Sequence, residues 1–262
     1  MLLMPAMAGV ALASLLAAGA DPGAPQYTAD SVVNPIAAVA GMYAPNSFIT
    51  IYGKGLSYVT RAMGPDDLRA GMLPTVLIGT GVRVLINHLP ANIYYVSPTQ
   101  VNVLAPVSLA AGPATIQLIN DGLAGPAIQI RLDPVAPALF ELSGTVVLAA
   151  HLDGTVVSAE APAQRGEVVV VYATGLGPTT PAAIPNQLPD GAAPLAHLAD
   201  FQVWLNGALV PATQVLYAGI SPPYAGLFQI NLRIPGDAPA DPEIRCGFAE
   251  QLSQPGGILP IR

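Results

Sequence analysis

The chain has 262 residues, of which only 10% are charged, with 26 Gly, 28 Pro, a single Cys and a formal net charge of −7. No basic cluster accompanies this acidity, so the composition argues against a nucleic-acid partner, because phosphate neutralisation needs grouped Lys and Arg. A hydrophobic share of 52% argues against disorder, and the many turn formers suit short strands joined by turns.

Residues 1–20 are apolar and end in Ala18-Gly19-Ala20, the small-x-small pattern at which signal peptides are cut, although no positive n-region precedes it. A cleaved secretory signal and an uncleaved N-terminal anchor both fit, and either predicts a secreted or surface location for the rest. Residues 21–31 read as a short leader. A first sandwich repeat is expected over 32–137, with strands over 48–52, 82–86, 100–104, 114–119 and 127–132 that alternate or run apolar at strand length. Asn120-Asp121-Gly122 supplies a two-residue hairpin turn, since Asp-Gly tolerates positive φ at both turn positions.

The second repeat is expected over 138–262, with 138–144 as the join. It opens on a hairpin at Asp153-Gly154 and continues with strands over 167–173, 201–205, 209–218 and 227–234. Asn206-Gly207 is a strong hairpin signal, and Asn87-His88 stands at the same place in the first repeat. Pro65-Asp66-Asp67-Leu68 reads as a single helical turn with Asp near its N-terminus. Long loops over 57–77 and 179–198 fall at matching places, and any binding is expected there. Every later apolar run is broken by Pro, Gly or charge, so no membrane span is expected in the mature chain. The expected fold is all-β: two tandem immunoglobulin-like β-sandwich domains.

The division into two rests on a duplication. Asn46-Ser-Phe-Ile-Thr-Ile-Tyr-Gly-Lys-Gly-Leu56 returns as Gly166-Glu-Val-Val-Val-Val-Tyr-Ala-Thr-Gly-Leu176, so that Tyr52 and Gly55 match Tyr172 and Gly175. Gln100-Val-Asn102 likewise returns as Gln229-Ile-Asn231, and Tyr95 matches Tyr217. A repeat of about 120 residues is longer than a solenoid unit and has the size of one sandwich domain. The matched tyrosines are expected in the core or at a corner, because both copies must fold but need not both bind. The matched Gln and Asn are expected to hold long loops by side-chain to backbone hydrogen bonds.

These strings, together with Asn34-Pro35-Ile36-Ala37 and Tyr172-Ala-Thr-Gly-Leu-Gly-Pro178, resemble the Solibacter-type uncharacterised C-terminal domain over residues 32–262. The resemblance implies a domain of large secreted bacterial proteins and brings no established reaction with it. The halves also resemble the immunoglobulin-like, plexin and transcription-factor class of sandwiches. The carboxyl end, 243–262, fits the pattern less well than 114–132.

No Gly-x-Ser-x-Gly setting is present for a hydrolase serine. His88, His151 and His197 are scattered without zinc spacing and read as turn or surface histidines. Cys246 reads as a small residue in a strand. Glu141, Glu160, Glu167, Glu243 and Glu250 could in principle supply a glycosidase pair, yet none sits in a motif. Asp66, Asp67, Asp121 and Asp153 could hold calcium, but no Asp-x-Asp-x-Asp loop joins them, and no other cofactor is implied. Trp204, Tyr224 and Tyr94 are the candidate aromatic platforms for stacking on sugar rings. The sequence therefore leads to a non-catalytic structural or adhesive module, whose partners would be extracellular polysaccharide or other surface proteins. A carbohydrate-binding module using exposed aromatics is the first alternative, and a secreted glycoside hydrolase with a cryptic carboxylate pair is the second.

Overall fold

Strand parity, turn chemistry and one repeated irregularity account for most of the architecture. The computed structural model describes residues 23–249 and 251–262; the segment expected as a signal peptide, and Glu250, lie outside them. In the first half, one antiparallel sheet runs in the order Val32–Val33, Phe48–Tyr52, Gln100–Leu104, Asn92–Val96, Arg61–Ala62. A second sheet runs Ile128–Leu132, Gly112–Asn120, Val82–Ile86, Leu89–Pro90. Alternation decides what faces inward: Ile49, Ile51, Val101 and Val103 from the first sheet meet Val84, Ile86, Ile116 and Leu118 from the second, all fully buried. At about 25 cal/mol per Å² of apolar surface, burial of such side chains is the main favourable contribution to the sandwich.

The second half repeats the plan. Ala138–Leu139, Val168–Thr174, Phe228–Arg233, Val215–Ile220 and Ala193–Pro194 form one sheet, which Ala149–His151 joins through Val168–Thr174. The facing sheet is Ala208–Leu209, Gln202–Leu205, Ile244–Phe248, Gln251–Leu252. A separate core, including Val169, Val171, Phe228, Ile230 and Cys246, lies between them. Equivalent registers recur, with Tyr52 opposite Gln100 and Tyr172 opposite Gln229.

Both copies also carry a β-bulge at the same place. The register slips between Ile93 and Tyr95 in the first half and between Val215 and Tyr217 in the second, leaving Tyr94 and Leu216 as the extra residues. Asn87-His88, Asp121-Gly122 and Asn206-Gly207 all have positive φ at both positions, the geometry that two-residue hairpins require. Gly175 matters for a further reason: it sits at φ +71°, and a Cβ on it would lie 2.1 Å from the Ala136 carbonyl oxygen.

Three expectations are corrected. The strand expected over 209–218 is interrupted after Ala208–Leu209, because Pro211 has no N–H for a ladder and leads into the 3₁₀ turn Ala212–Gln214. Separately, the carboxyl end, which matches 114–132 less well in sequence, forms no long edge strand like Ile128–Leu132, and Ile258 and Ile261 make parallel bridges to Val146 and Ala163. Tyr52 and Tyr172 are not core residues, since in each strand the flanking positions point inward and the tyrosines outward. Gln100 and Gln229 donate to Asn102 and Asn231 Oδ1 at 2.9 and 3.0 Å within their own strands, rather than to loop backbone, because residues two apart share a face.

Candidate functional site: the outer tyrosine-amide face and the junction

Outward positions of the first sheet align in rows across its strands. Tyr95, Asn102 and Thr50 are directly opposite one another, and Gln100 and Tyr52 form the next row. Opposite residues on antiparallel strands have Cβ atoms about 5 Å apart, so these side chains make one surface. Tyr52 is 44% exposed at its edge, while Tyr95, Gln100 and Asn102 are half-buried. Asn102 Oδ1 accepts from both the Thr50 hydroxyl at 3.0 Å and the Gln100 amide at 2.9 Å. Those two bonds orient both carboxamides and leave Asn102 Nδ2 and Gln100 Oε1 without a hydrogen bond among the described residues.

The second copy of this face is closed. Tyr172, Gln229, Asn231 and Tyr217 occupy the matching rows. Here, however, Gln229 Oε1 accepts from Ser221 Oγ at 2.9 Å and the Tyr217 hydroxyl donates to the Ile220 carbonyl at 2.9 Å. Val170 stands where the first copy has Thr50, so Asn231 lacks the second donor. Its polar atoms are mostly used within the protein.

The three aromatic platforms expected from sequence fall in different places. Tyr94, the bulge residue, packs edge-on against Phe48 with ring centroids 5.2 Å apart, and its hydroxyl faces the Ala225 carbonyl at 3.4 Å. Burial pushes its phenol up to about 12. It belongs to a small apolar cluster with Leu73, Leu104, Ala225 and Leu188 that joins the two halves, and not to an open surface. Tyr224 is 60% exposed on the neighbouring loop. Trp204 lies half-buried on the outer face of the other sheet of the second half, opposite Leu209 and Arg245.

The two long loops meet each other. Leu73 N–H donates to the Asn186 carbonyl at 2.7 Å and Leu188 N–H to the Gly71 carbonyl at 2.9 Å, with Met72 bridged to Gln187. Asn92 Nδ2 adds bonds to the Leu73 carbonyl and Asn186 Oδ1 at 3.3 and 3.1 Å. The loops thus form a junction between halves, beside a cavity of about 150 Å³ lined by parts of both.

The acidic groups serve local structure. Asp67 is buried against Arg61 Nη2 at 2.9 Å and accepts from the Gly64 and Ile78 N–H groups. Burial alone would raise its pKa, but those donors and the guanidinium together hold the carboxyl below its usual range. Asp153 bonds Thr155, Glu243 bonds the Gly256 N–H, and Glu160 bonds Ser158. Among the described residues no group of three or more His, Cys, Asp or Glu could hold a metal ion. Cys246 is fully buried, and burial pushes its thiol up to about 12. His151 is no bare turn residue: its Nδ1 lies 2.5 Å from Glu167 Oε1.

No protein-family model matches the chain, and no curated protein matches it. Among solved structures it is similar to the SGBP-B protein of a Bacteroides ovatus mixed-linkage glucan utilization locus, solved with a mixed-linkage heptasaccharide, at 11% identity and a TM-score of 0.35, over 92% of this chain and 46% of that one. It is also similar to a surface glycan-binding protein of Prevotella bryantii, at 13% identity and a TM-score of 0.25, over 92% and 42%. Domains 5 and 6 of the S-layer protein SbsC match at 10% identity and a TM-score of 0.27, over 90% and 98%. The chain spans less than half the length of the two glycan-binding proteins. At these scores the likeness is coarse. Among the described residues no helix is long and apolar enough to cross a membrane.

Proposed function

We propose that the chain is a non-catalytic adhesive module of the cell exterior whose first half docks a neutral polysaccharide on its outer tyrosine-amide face. One observation carries the reading: Tyr52 is exposed beside two carboxamides, Asn102 oriented by Thr50 and Gln100 by Asn102, that retain free donor and acceptor atoms. A tyrosine ring offers an apolar face for the C–H side of a sugar, and carboxamides pair with hydroxyls in either direction. No lysine or arginine stands in the two rows, which favours a neutral ligand over an anionic one. The non-catalytic part is supported by Glu160, Glu167 and Glu243, each of which is engaged in a local hydrogen bond.

The test is to incubate the full chain with insoluble polysaccharides and assay the pellet for protein and the supernatant for released sugar. Retention without release is expected, weakened about tenfold by Tyr52→Ala, the equivalent of about 1.4 kcal/mol. Tyr172→Ala should leave retention unchanged. Release of sugar, or retention indifferent to Tyr52→Ala, would overturn the reading.

A further inference from the structure

The junction cavity has the attributes of a second site, distinct from the outer face. Its apolar wall is Leu104, Ile220, Ala193 and Ala225, contributed by both halves. Its polar wall is made of carboxamides: Asn46 and Asn92 from the first half, Asn186 and Gln187 from the second. Asn46 decides the argument. The residue is 8% exposed, its amide makes no side-chain hydrogen bond among the described residues, and the amide atoms stay open to solvent. An amide left open in this way can both donate to and accept from a ligand. Asn46 is also held at φ +59°, which fixes where its amide stands.

Three further amides have unused capacity. Asn92 spends Nδ2 on Leu73 and Asn186, leaving its Oδ1 without a donor among the described residues. Asn186 accepts that bond through Oδ1 and keeps Nδ2 free, and the Gln187 side chain makes no hydrogen bond among the described residues. Donors and acceptors are therefore both on offer around one space. No Lys, Arg or His lines it, and the sole ionisable side chain in the lining, Asp190, is exposed at the mouth with Pro181 and Ala182. An anion would meet no counter-charge there.

Size narrows the ligand further. A cavity of about 150 Å³ accepts a single six-membered ring. Mixed amide and apolar walls would not suit benzene, since an aromatic hydrocarbon leaves every amide unpaired. A pyranose ring presents hydroxyls around its rim and C–H groups on its faces, matching both walls. We propose that the junction cavity binds one neutral, hydroxylated ring of pyranose size. The site needs both halves, because neither loop alone closes it. It does not rest on polymer docking at the outer face, although Leu104 is the next outward position after Gln100 and Asn102 on the same strand.

Calorimetric titration of the full chain with glucose, galactose, mannose and N-acetylglucosamine, with benzene as the apolar control, tests this. Saturable one-to-one binding of at least one sugar in the millimolar range is expected. Asn46→Gly keeps the left-handed backbone while removing the amide, and Gln187→Ala removes a half-exposed one. Each should weaken binding about tenfold, whereas Tyr52→Ala should leave it unchanged. Failure of all four sugars to bind, a preference for benzene, or binding that survives both cavity variants would overturn the proposal. Because Tyr52→Ala reports on the outer face alone, loss of polymer retention with intact monosaccharide binding separates the two sites.

Discussion

Single residues with unusual partners show where this protein depends on chemistry as well as on packing. His151 places Nδ1 on Glu167 Oε1 and Nε2 on the Ala161 carbonyl at 3.1 Å, with Asp153 also nearby. Only an imidazolium can donate to both acceptors at once. The hydrogen bond to Glu167 is the largest cause of a raised pKa, ahead of the opposing effect of burial, and the Ala161 carbonyl and both carboxylates add to it. A raised folded value means the stabilisation is full below the unfolded value of about 6.5 and is lost as pH rises through the folded one. The melting temperature of the wild type should therefore fall between about pH 6 and pH 9 by more than that of His151→Gln. Parallel pH profiles for the two proteins would show that the pair does not titrate in this window. The sequence places His151 near a turn but holds no sign of this partner, because Glu167 is distant along the chain and only sheet pairing brings the two together.

Elements are the most legible scale. Hairpins at Asp121-Gly122 and Asn206-Gly207 follow from local φ preferences alone, and the alternation in Phe48–Tyr52 and Gln100–Leu104 marks their inward faces. The Asn92–Val96 strand is not legible in the sequence, since its bulge breaks the alternation and sets both Ile93 and Val96 inward across two tyrosines. The 3₁₀ turn Pro65–Asp67 is as expected, yet its purpose emerges only in three dimensions. Asp67 joins that turn to Arg61 on an edge strand and to Ile78 beyond the loop, whose carbonyl also accepts from Arg61. Asp67→Asn keeps the volume but removes the charge facing Arg61 and one acceptor for the Gly64 and Ile78 N–H groups, so a loss of about 1–3 kcal/mol in unfolding free energy, read as a lower urea midpoint, is expected. An unchanged midpoint would mean that the loop is held by its backbone bonds alone.

For the whole molecule, the deciding feature is the junction. Two hydrophobic cores are separate, one between each pair of sheets, and the cluster around Leu73, Leu104 and Ala225 links them. Tyr94 is the largest side chain in that link, and its ring also meets Phe48, itself 6.4 Å from Phe140 in the join. Tyr94→Ala should leave each core intact while weakening the link, so scanning calorimetry should show the thermal transition broadening or dividing into two. A single sharp transition of unchanged width would show that the backbone bonds between the loops suffice.

The sequence by itself determined the all-β class and the turns, because these depend on φ preference and on side-chain alternation within a few residues, and it showed the duplication as strings that recur about 120 residues apart. It also marked Tyr52, Gln100 and Asn102 as one matched set, without telling which face they share or that the first copy is open and the second closed. That difference turns on Thr50 against Val170, each brought opposite its Asn by pairing of strands far apart in sequence, and on how Ser221 and Tyr217 spend their hydroxyls within their own hairpin. Likewise the two long loops were visible as loops, but only the tertiary structure laid them against each other around Asn46 and Asn92. The physical reason is that backbone preference is local, whereas a binding surface is made by the residues that chain folding brings together from long distances in sequence.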